Sequence, residues 1–146
     1  MKLKVPYLCL YFLLLLLPAC SNEQAEQAIA PIVPEEPEAI ARTEFTERLE
    51  DFFEYEPLKA GQPSQFRIHL TDLSDGTPVE KANVTLTVRA PGSTDTVAEI
   101  KALVGKVTGI YVAEVAIPNP GTYDIEFRIN NTKLDERLAL SNFQVE

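Results

Sequence analysis

The fold is decided by the segment VTGIYVAEVAIPNPGTYDIEFRI, residues 107–129. Two runs of alternating apolar and polar residues flank the turn PNPG at residues 118–121. A period of two over this length predicts β-strands, because successive side chains leave opposite faces of the pleat. Proline cannot donate to a strand ladder, and Gly121 can adopt turn dihedrals. The segment therefore predicts a β-hairpin with one buried face, which needs a second sheet to cover it.

The same period recurs through the rest of the chain. Residues 64–72, 83–90, 96–104 and 137–145 are predicted strands, separated by turns that contain Gly, Pro, Asn and Asp. The predicted inward residues of the two clearest strands are Phe66, Ile68, Leu70, Val84, Leu86 and Val88. Their predicted outward neighbours are Arg67, His69, Thr71, Thr85, Thr87 and Arg89.

Residues 43–55, TEFTERLEDFFEY, alternate imperfectly. Spacings of four and three also fit a short helix, but the aromatic content favours a strand. Its candidate inward residues are Phe45, Leu49, Phe53 and Tyr55. The segment's carboxylates are Glu44, Glu47, Glu50, Asp51, Glu54 and Glu56. They are interpreted as solvated charges that discourage edge-to-edge pairing, in preference to a loose site for a hard cation.

Seven strands at short spacing predict a single antiparallel β-sandwich, immunoglobulin-like in architecture, over residues 43–146. The paired cysteines and the tryptophan of antibody domains are missing. Tyr123 follows a Pro-Gly turn, where it could bond nearby backbone as a corner tyrosine or simply pack in the core.

The first 19 residues have the form of a signal peptide. Lys2 and Lys4 precede an apolar run too short to span a bilayer. The run ends in Leu17-Pro18-Ala19-Cys20, which resembles the lipobox of bacterial lipoproteins. The resemblance implies cleavage after Ala19 and lipid on Cys20, and Ser21 indicates sorting to the outer membrane. The alternative is an ordinary secretory signal with a chance cysteine.

Residues 20–42 are predicted to be a disordered tether. They contain three prolines spaced by three and many Glu, Gln and Ala, a composition that stiffens a linker rather than folding it. A spacer is favoured over a partner motif. The net charge is −9, and removing the two lysines of the leader leaves 11 basic against 22 acidic residues. So acidic a chain is not expected to bind nucleic acid.

No catalytic or metal-binding constellation stands out. The chain has one histidine, His69, and one cysteine outside the leader, Cys20. A nucleophile needs a positioned base, and soft metals need clustered Cys, His or Met. His69 is expected to face solvent. We therefore expect a protein that is not an enzyme and carries no cofactor or metal.

A family resemblance covers residues 49–88, LEDFFEYEPLKAGQPSQFRIHLTDLSDGTPVEKANVTLTV. This run resembles the N-terminal domain of periplasmic adaptor subunits of RND-type efflux systems, mainly those for heavy metals. The matching positions are Tyr55, Pro57, Leu58, Gly61, Pro63, Phe66, His69, Leu70, Thr71, Asp72, Leu73, Thr77, Pro78, Val79, Val84, Thr85 and Leu86. Adaptors continue into further domains, whereas this sequence ends at Glu146. The expectation is a stand-alone lipoprotein built on the same module, or the front piece of a split adaptor.

The resemblance implies a lipid-anchored binding module in the periplasm, with a protein partner in an efflux or envelope transport complex. The alternative is a structural or glycan- and cell-wall-binding surface lipoprotein. Partner contact is expected through the loop at residues 56–63 and the turn at residues 73–79. The residues proposed for it are Glu56, Pro57, Leu58, Gly61, Asp72 and Pro78.

Overall fold

The computed structural model describes residues 38–146. The predicted signal peptide, Cys20 and the tether up to residue 37 lie outside the described residues. The described part contains ten strands and no helix. The strands are β1 Ile40–Phe45, β2 Leu49–Tyr55, β3 Pro63–Asp72, β4 Thr77–Pro78, β5 Asn83–Arg89, β6 Thr96–Lys101, β7 Leu103–Val104, β8 Ile110–Ala116, β9 Gly121–Asn130 and β10 Asp135–Val145. β1 begins three residues before the predicted start of the domain at Thr43.

The strands form two antiparallel sheets, which confirms the predicted all-β sandwich. The first sheet has the order β1-β2-β3-β8-β7, with β4 paired to β3. The second has the order β10-β9-β5-β6. Alternating apolar side chains from both sheets fill one core, as the period of two requires. Aromatic rings bridge it, since Phe53 of the first sheet and Phe127 of the second lie 4.8 Å apart between centroids.

The predicted hairpin at residues 107–129 is wrong in its pairing. β8 belongs to the first sheet and β9 to the second, so the turn at residues 118–121 carries the chain across the core. The predicted inward faces are nonetheless correct: Tyr111, Ala113, Val115, Ile117, Tyr123, Ile125, Phe127 and Ile129 are all buried. β8 instead forms a hairpin with β7, and β9 forms one with β10, in whose turn the Asn131 side chain accepts bonds from the Lys133 and Leu134 amides.

The predicted strand at residues 43–55 is two strands. Thr46 accepts hydrogen bonds from the Arg48 and Leu49 amides and turns the chain between β1 and β2. Leu49, Phe53 and Tyr55 are buried as predicted, but Phe45 is 60% exposed. It lies opposite Glu50 in the β1–β2 ladder, so its side chain leaves the outer face of the sheet, away from the core.

The predicted strand at residues 96–104 also divides. β6 pairs with β5 in the second sheet, and β7 pairs with β8 in the first. Buried Ala102 lies at the crossing and donates to the Val84 carbonyl at 2.9 Å. These two divisions and the short β4 raise the predicted seven strands to ten. Thr87, predicted to face outward, is buried beside the neighbouring strands of its sheet.

None of the described residues forms a helix long and apolar enough to cross a membrane.

Candidate functional site

A rigid turn follows β3 at the end of the sandwich. The Asp72 carboxylate accepts bonds from the Ser74 amide at 2.9 Å and the Ser74 hydroxyl at 2.6 Å. Asp75 does the same for Thr77, at 3.0 and 2.6 Å. These hydrogen bonds favour the charged forms, so the pKa values of both carboxyl groups lie below their ordinary range. Gly76 supplies the positive φ of 71° that closes the turn.

This turn borders a cleft of about 580 Å³. The cleft lies between the β3–β4 turn, the β4–β5 loop and the β9–β10 turn. The amide of Asn131 donates to the Glu80 carbonyl at 3.0 Å and so joins two of its walls. The lining residues are Asp72, Asp75, Thr77, Pro78, Val79, Glu80, Lys81, Asn131, Thr132, Lys133 and Leu134. Carboxylates, lysines and an amide face one opening, which suits a polar partner.

The wall at residues 79–82 is held from beneath by Tyr111. Its buried hydroxyl donates to the Val79 carbonyl at 2.9 Å and accepts from the Ala82 amide at 3.0 Å. Lys81, between these two contacts, has a positive φ of 52°, an uncommon conformation for a residue other than glycine. Tyr111 therefore fixes the loop that presents Lys81 to the cleft.

The other predicted contact segment lies elsewhere. The loop at residues 56–63 precedes β3 and the turn at residues 73–79 follows it, so ten residues of strand separate them, about 3.3 Å each. Leu58 is buried and forms a bridge with Val145, so it cannot serve as a surface contact. Glu56 and Gly61 are exposed, and Pro57 is half-buried. Of the six proposed contact residues, the cleft brings together Asp72 and Pro78.

Asp72 was proposed as a contact residue, but little of its side chain is accessible. It is 5% exposed, because its side chain turns back onto Ser74. Pro78 is exposed on one side and contacts the backbone of Gly109 on the other. The sequence-derived residues thus shape the cleft, and Lys81, Asn131 and Lys133 are among the residues that supply its accessible polar groups. Those three were not predicted, because the loops that carry them meet only in the folded chain.

Asp51 was predicted to be solvated, and this is wrong. It is 0% exposed, and neither carboxylate oxygen has a hydrogen-bond partner. Burial raises its pKa to about 7, with a smaller contribution from Glu44. The sequence carried the signal, since Asp51 shares the period-two face of Leu49, Phe53 and Tyr55.

Arg42 closes the core beside this acid. Its guanidinium lies 2.6 Å from a Glu44 carboxylate oxygen and 4.9 Å from the centre of the Phe143 ring. It also donates to the Ser141 carbonyl at 3.3 Å. A charged residue of β1 therefore covers aromatic side chains that the edge strand leaves uncovered.

His69 was predicted to face solvent, but its ring is partly buried. Its ring meets Phe52 edge-on at 5.3 Å between centroids, and its Nε2 atom is buried without a partner. Within residues 38–146, no three His, Cys, Asp or Glu side chains are placed to hold a metal ion.

The fold and the cleft together define a small β-sandwich module with a polar surface site at one end. The YtkA-like family model matches residues 46–128, more than half of the chain. The chain therefore belongs to the YtkA-like family, a family of small β-rich domains of the exported type. The match supports this family and does not single out the efflux adaptors. Searches of curated proteins and of solved structures found no match.

Proposed function

We propose that this chain is a lipid-anchored interaction module of the bacterial cell envelope that acts without catalysis. In this proposal Cys20 carries the lipid, and the sandwich faces the periplasm from the outer membrane. The single observation that carries the proposal is the cleft of about 580 Å³ walled by residues 72–81 and 131–134. Its walls are locked by side-chain bonds, so it offers a pre-formed surface to a protein partner.

The proposed partner is a component of an RND-type efflux or envelope transport complex. Residues 73–79, which carry part of the resemblance to periplasmic adaptors, contribute Asp75, Thr77, Pro78 and Val79 to the cleft. An anchored domain also has a high local concentration at a membrane complex, so a weak contact can suffice. The proposal holds for a stand-alone lipoprotein and equally for the front piece of a split adaptor.

The arrangement of aromatic residues disfavours the glycan-binding alternative. Phe53, Phe66, Phe127 and Phe143 are completely buried, so their rings are not available for stacking on sugars. Phe45 is the exposed ring among the phenylalanines and tyrosines of the described part. Phe52, on the neighbouring strand, is half-buried and packs edge-on against His69, so among the described residues Phe45 alone is well exposed, and one such ring does not form a stacking platform.

The anchor is tested with Cys20→Ser. Cells expressing the unmodified chain or the variant are fed a labelled fatty acid and then fractionated. We expect label and membrane association for the unmodified chain, and neither for the variant, because several acyl chains at about 0.8 kcal/mol per buried CH₂ hold a lipoprotein almost permanently. A serine variant that keeps both the label and the membrane fraction would show that the anchor lies elsewhere.

The partner is tested by cross-linking the chain in intact cells of the source bacterium, followed by purification and mass spectrometry. We expect a transporter or adaptor component to be enriched with the unmodified chain and depleted with Cys20→Ser. Recovery of cell-wall fragments in place of any protein would favour the glycan-binding alternative.

A further inference from the structure

An apolar patch of three residues lies at one sheet edge, along β7 and the turn that follows it. Leu103, Val104 and Val107 are 74%, 67% and 61% exposed. They are the three most exposed large hydrophobic side chains of the described part, and they fall within five consecutive positions. Leu103 and Val104 are consecutive residues of one strand, so their side chains leave opposite faces of β7 and flank its edge on both sides. Apolar side chains so exposed at one edge are candidates for covering by a partner.

The backbone beside this patch has an open edge. β7, Leu103–Val104, is the last strand of its sheet and pairs only with β8. The Gly105 amide donates to the Ile110 carbonyl at 2.7 Å, and bonded and non-bonded pairs alternate along an antiparallel ladder. The neighbouring pair, Val104 with Tyr111, therefore directs the amide and carbonyl of Val104 away from β8. These two groups can bond an incoming strand.

Two lysines and one glutamate lie beside the same edge. Val104, Lys81 and Lys106 line one cavity of about 200 Å³, whose remaining lining is Glu80, Gly105, Thr108, Gly109 and Tyr111. Every ion pair among residues 38–146 is made by an arginine, and none by a lysine. In a chain of net charge −9, Lys81 and Lys106 outnumber Glu80 here and give this edge a local excess of positive charge.

We propose that β7 binds an extended, acidic protein segment that adds as one more strand. Its backbone would bond the amide and carbonyl of Val104, its apolar side chains would cover Leu103 and Val107, and its carboxylates would lie near Lys81 and Lys106. This mode of recognition takes affinity from main-chain bonds and specificity from side chains. It rests on the proposed function only in that the partner is a protein, and it places a second contact surface beside the cleft, which shares Glu80 and Lys81.

An anionic lipid surface would also attract lysines next to apolar side chains. The open backbone groups of Val104 favour a peptide, because a strand satisfies an amide and a carbonyl together. The acidic charge of the rest of the chain also opposes approach to an anionic membrane. The lipid is therefore an outcome of the test.

The test uses the purified full chain in a non-ionic detergent and three labelled eight-residue peptides. One alternates Glu and Val, one alternates Lys and Val, and one contains only Glu. We expect the Glu/Val peptide to bind at least tenfold more tightly than either of the others. We also expect its affinity to fall when salt is raised from 0.05 to 0.5 M, since the screening length then shortens severalfold.

The matched variants are K81E/K106E and Lys59→Glu. Lys59 is exposed and lies beyond the opposite end of β3, so its reversal changes the net charge without touching the patch. We expect the double reversal to weaken Glu/Val peptide binding at least tenfold and Lys59→Glu to weaken it less than twofold. Amide hydrogen exchange at Val104 should slow at least tenfold in the complex.

Three results would overturn this proposal. They are equal binding of the Glu/Val and Lys/Val peptides, unchanged exchange at Val104 in the complex, and binding of phosphatidylglycerol vesicles in place of peptide. If the peptide test fails but the cellular cross-link captures a protein partner, only the strand-addition proposal is overturned. Peptide binding without any cellular protein partner would instead remove the proposed function.

Discussion

Glu44 lies directly opposite Asp51 in the β1–β2 ladder, so the two carboxyl groups face the same side of the sheet. Asp51 is completely buried, whereas Glu44 keeps partial exposure and pairs with Arg42 at 2.6 Å. On its other side, Asp51 lies opposite Leu70 of β3. One acid therefore retains its counter-ion, and the other lies against apolar side chains without one.

This relationship predicts that the chain is less stable at neutral pH than at mildly acidic pH. The pKa of Asp51 is raised from 3.8 to about 7 in the folded state, so that state holds the proton more tightly than the unfolded chain. The stabilisation by neutral Asp51 is complete below pH 3.8 and is lost as the pH rises through about 7. Between these values the free energy of unfolding should fall by at most about 1.4 kcal/mol per pH unit.

Urea melts of the unmodified chain, Asp51→Asn and Asp95→Asn at pH 5 and pH 8 measure this effect. We expect Asp51→Asn to remove most of the difference between the two pH values and to be the most stable chain at pH 8. Asp95 is exposed on a loop, so its variant should behave like the unmodified chain. A pH dependence that survives in Asp51→Asn would contradict the assignment. Asp72 and Asp75 have lowered pKa values and act with the opposite sign, losing their contribution only as the pH falls into the acidic range.

The period of two identified the buried faces but could not identify the pairing. Tyr111 and Tyr123 are both buried as their runs predicted, yet their strands belong to different sheets. A short turn between two alternating runs permits a hairpin or a crossing between sheets, and the choice depends on distant strands. β8 pairs with β3, which lies some forty residues earlier in the chain.

The cleft was only partly predictable for the same reason. Asp72 and Pro78 were proposed because the turn beside them carries part of the resemblance to periplasmic adaptors, and that resemblance is read from a local stretch of sequence. Lys133 reaches the same cleft only because β9 and β10 form a hairpin whose turn meets the β4–β5 loop. The error at Asp51 has a different cause. The alternation of residues 49–55 indicated a buried side chain, but a carboxylate is ordinarily solvated, and the prediction followed the charge.

The second prediction concerns the two tyrosine hydroxyls. Tyr111→Phe leaves the Val79 carbonyl and the Ala82 amide without partners inside the protein, which should cost about 2–4 kcal/mol. Tyr123→Phe removes a single bond, of 3.1 Å, to the carbonyl of exposed Asn119, where water can replace it. We expect a cost below about 1 kcal/mol there. Equal costs in urea melts would show that Tyr111 does not hold residues 79–82.

The third prediction concerns the contact between Gly109 and Pro78. Gly109 has a φ of 79°, and a Cβ there would lie 2.6 Å from the Pro78 Cβ and 3.2 Å from the Leu70 carbonyl oxygen. Gly92 has a similar φ of 72° but nothing within 4 Å. Gly92→Ala should therefore cost only the backbone strain of about 1–2 kcal/mol. Gly109→Ala should cost about 1–3 kcal/mol more, because of the added clash. Thermal melts that show no difference between the variants would exclude this close packing.

The fourth prediction concerns metal ions. The chain contains one histidine, and its Nε2 atom is buried against neighbouring side chains. We expect calorimetric titration of the purified chain with copper, zinc or silver to show no site tighter than micromolar, because such ions prefer clustered nitrogen and sulfur ligands. His69→Ala is the matched variant. A sub-micromolar site that disappears in His69→Ala would reveal a metal-carrying role.

The most direct test of the account is photo-cross-linking in living cells from single positions. A photoreactive residue replaces Thr77 at the cleft, Val107 at the β7 edge or Gln62 at the far end of β3; all three side chains are exposed. We expect Thr77 and Val107 to give a discrete adduct with the same envelope protein, lost in Cys20→Ser, and Gln62 to give none. An adduct from Gln62 alone, or no protein adduct from any of the three positions, would contradict the assignment of this end of the sandwich as the partner-binding surface.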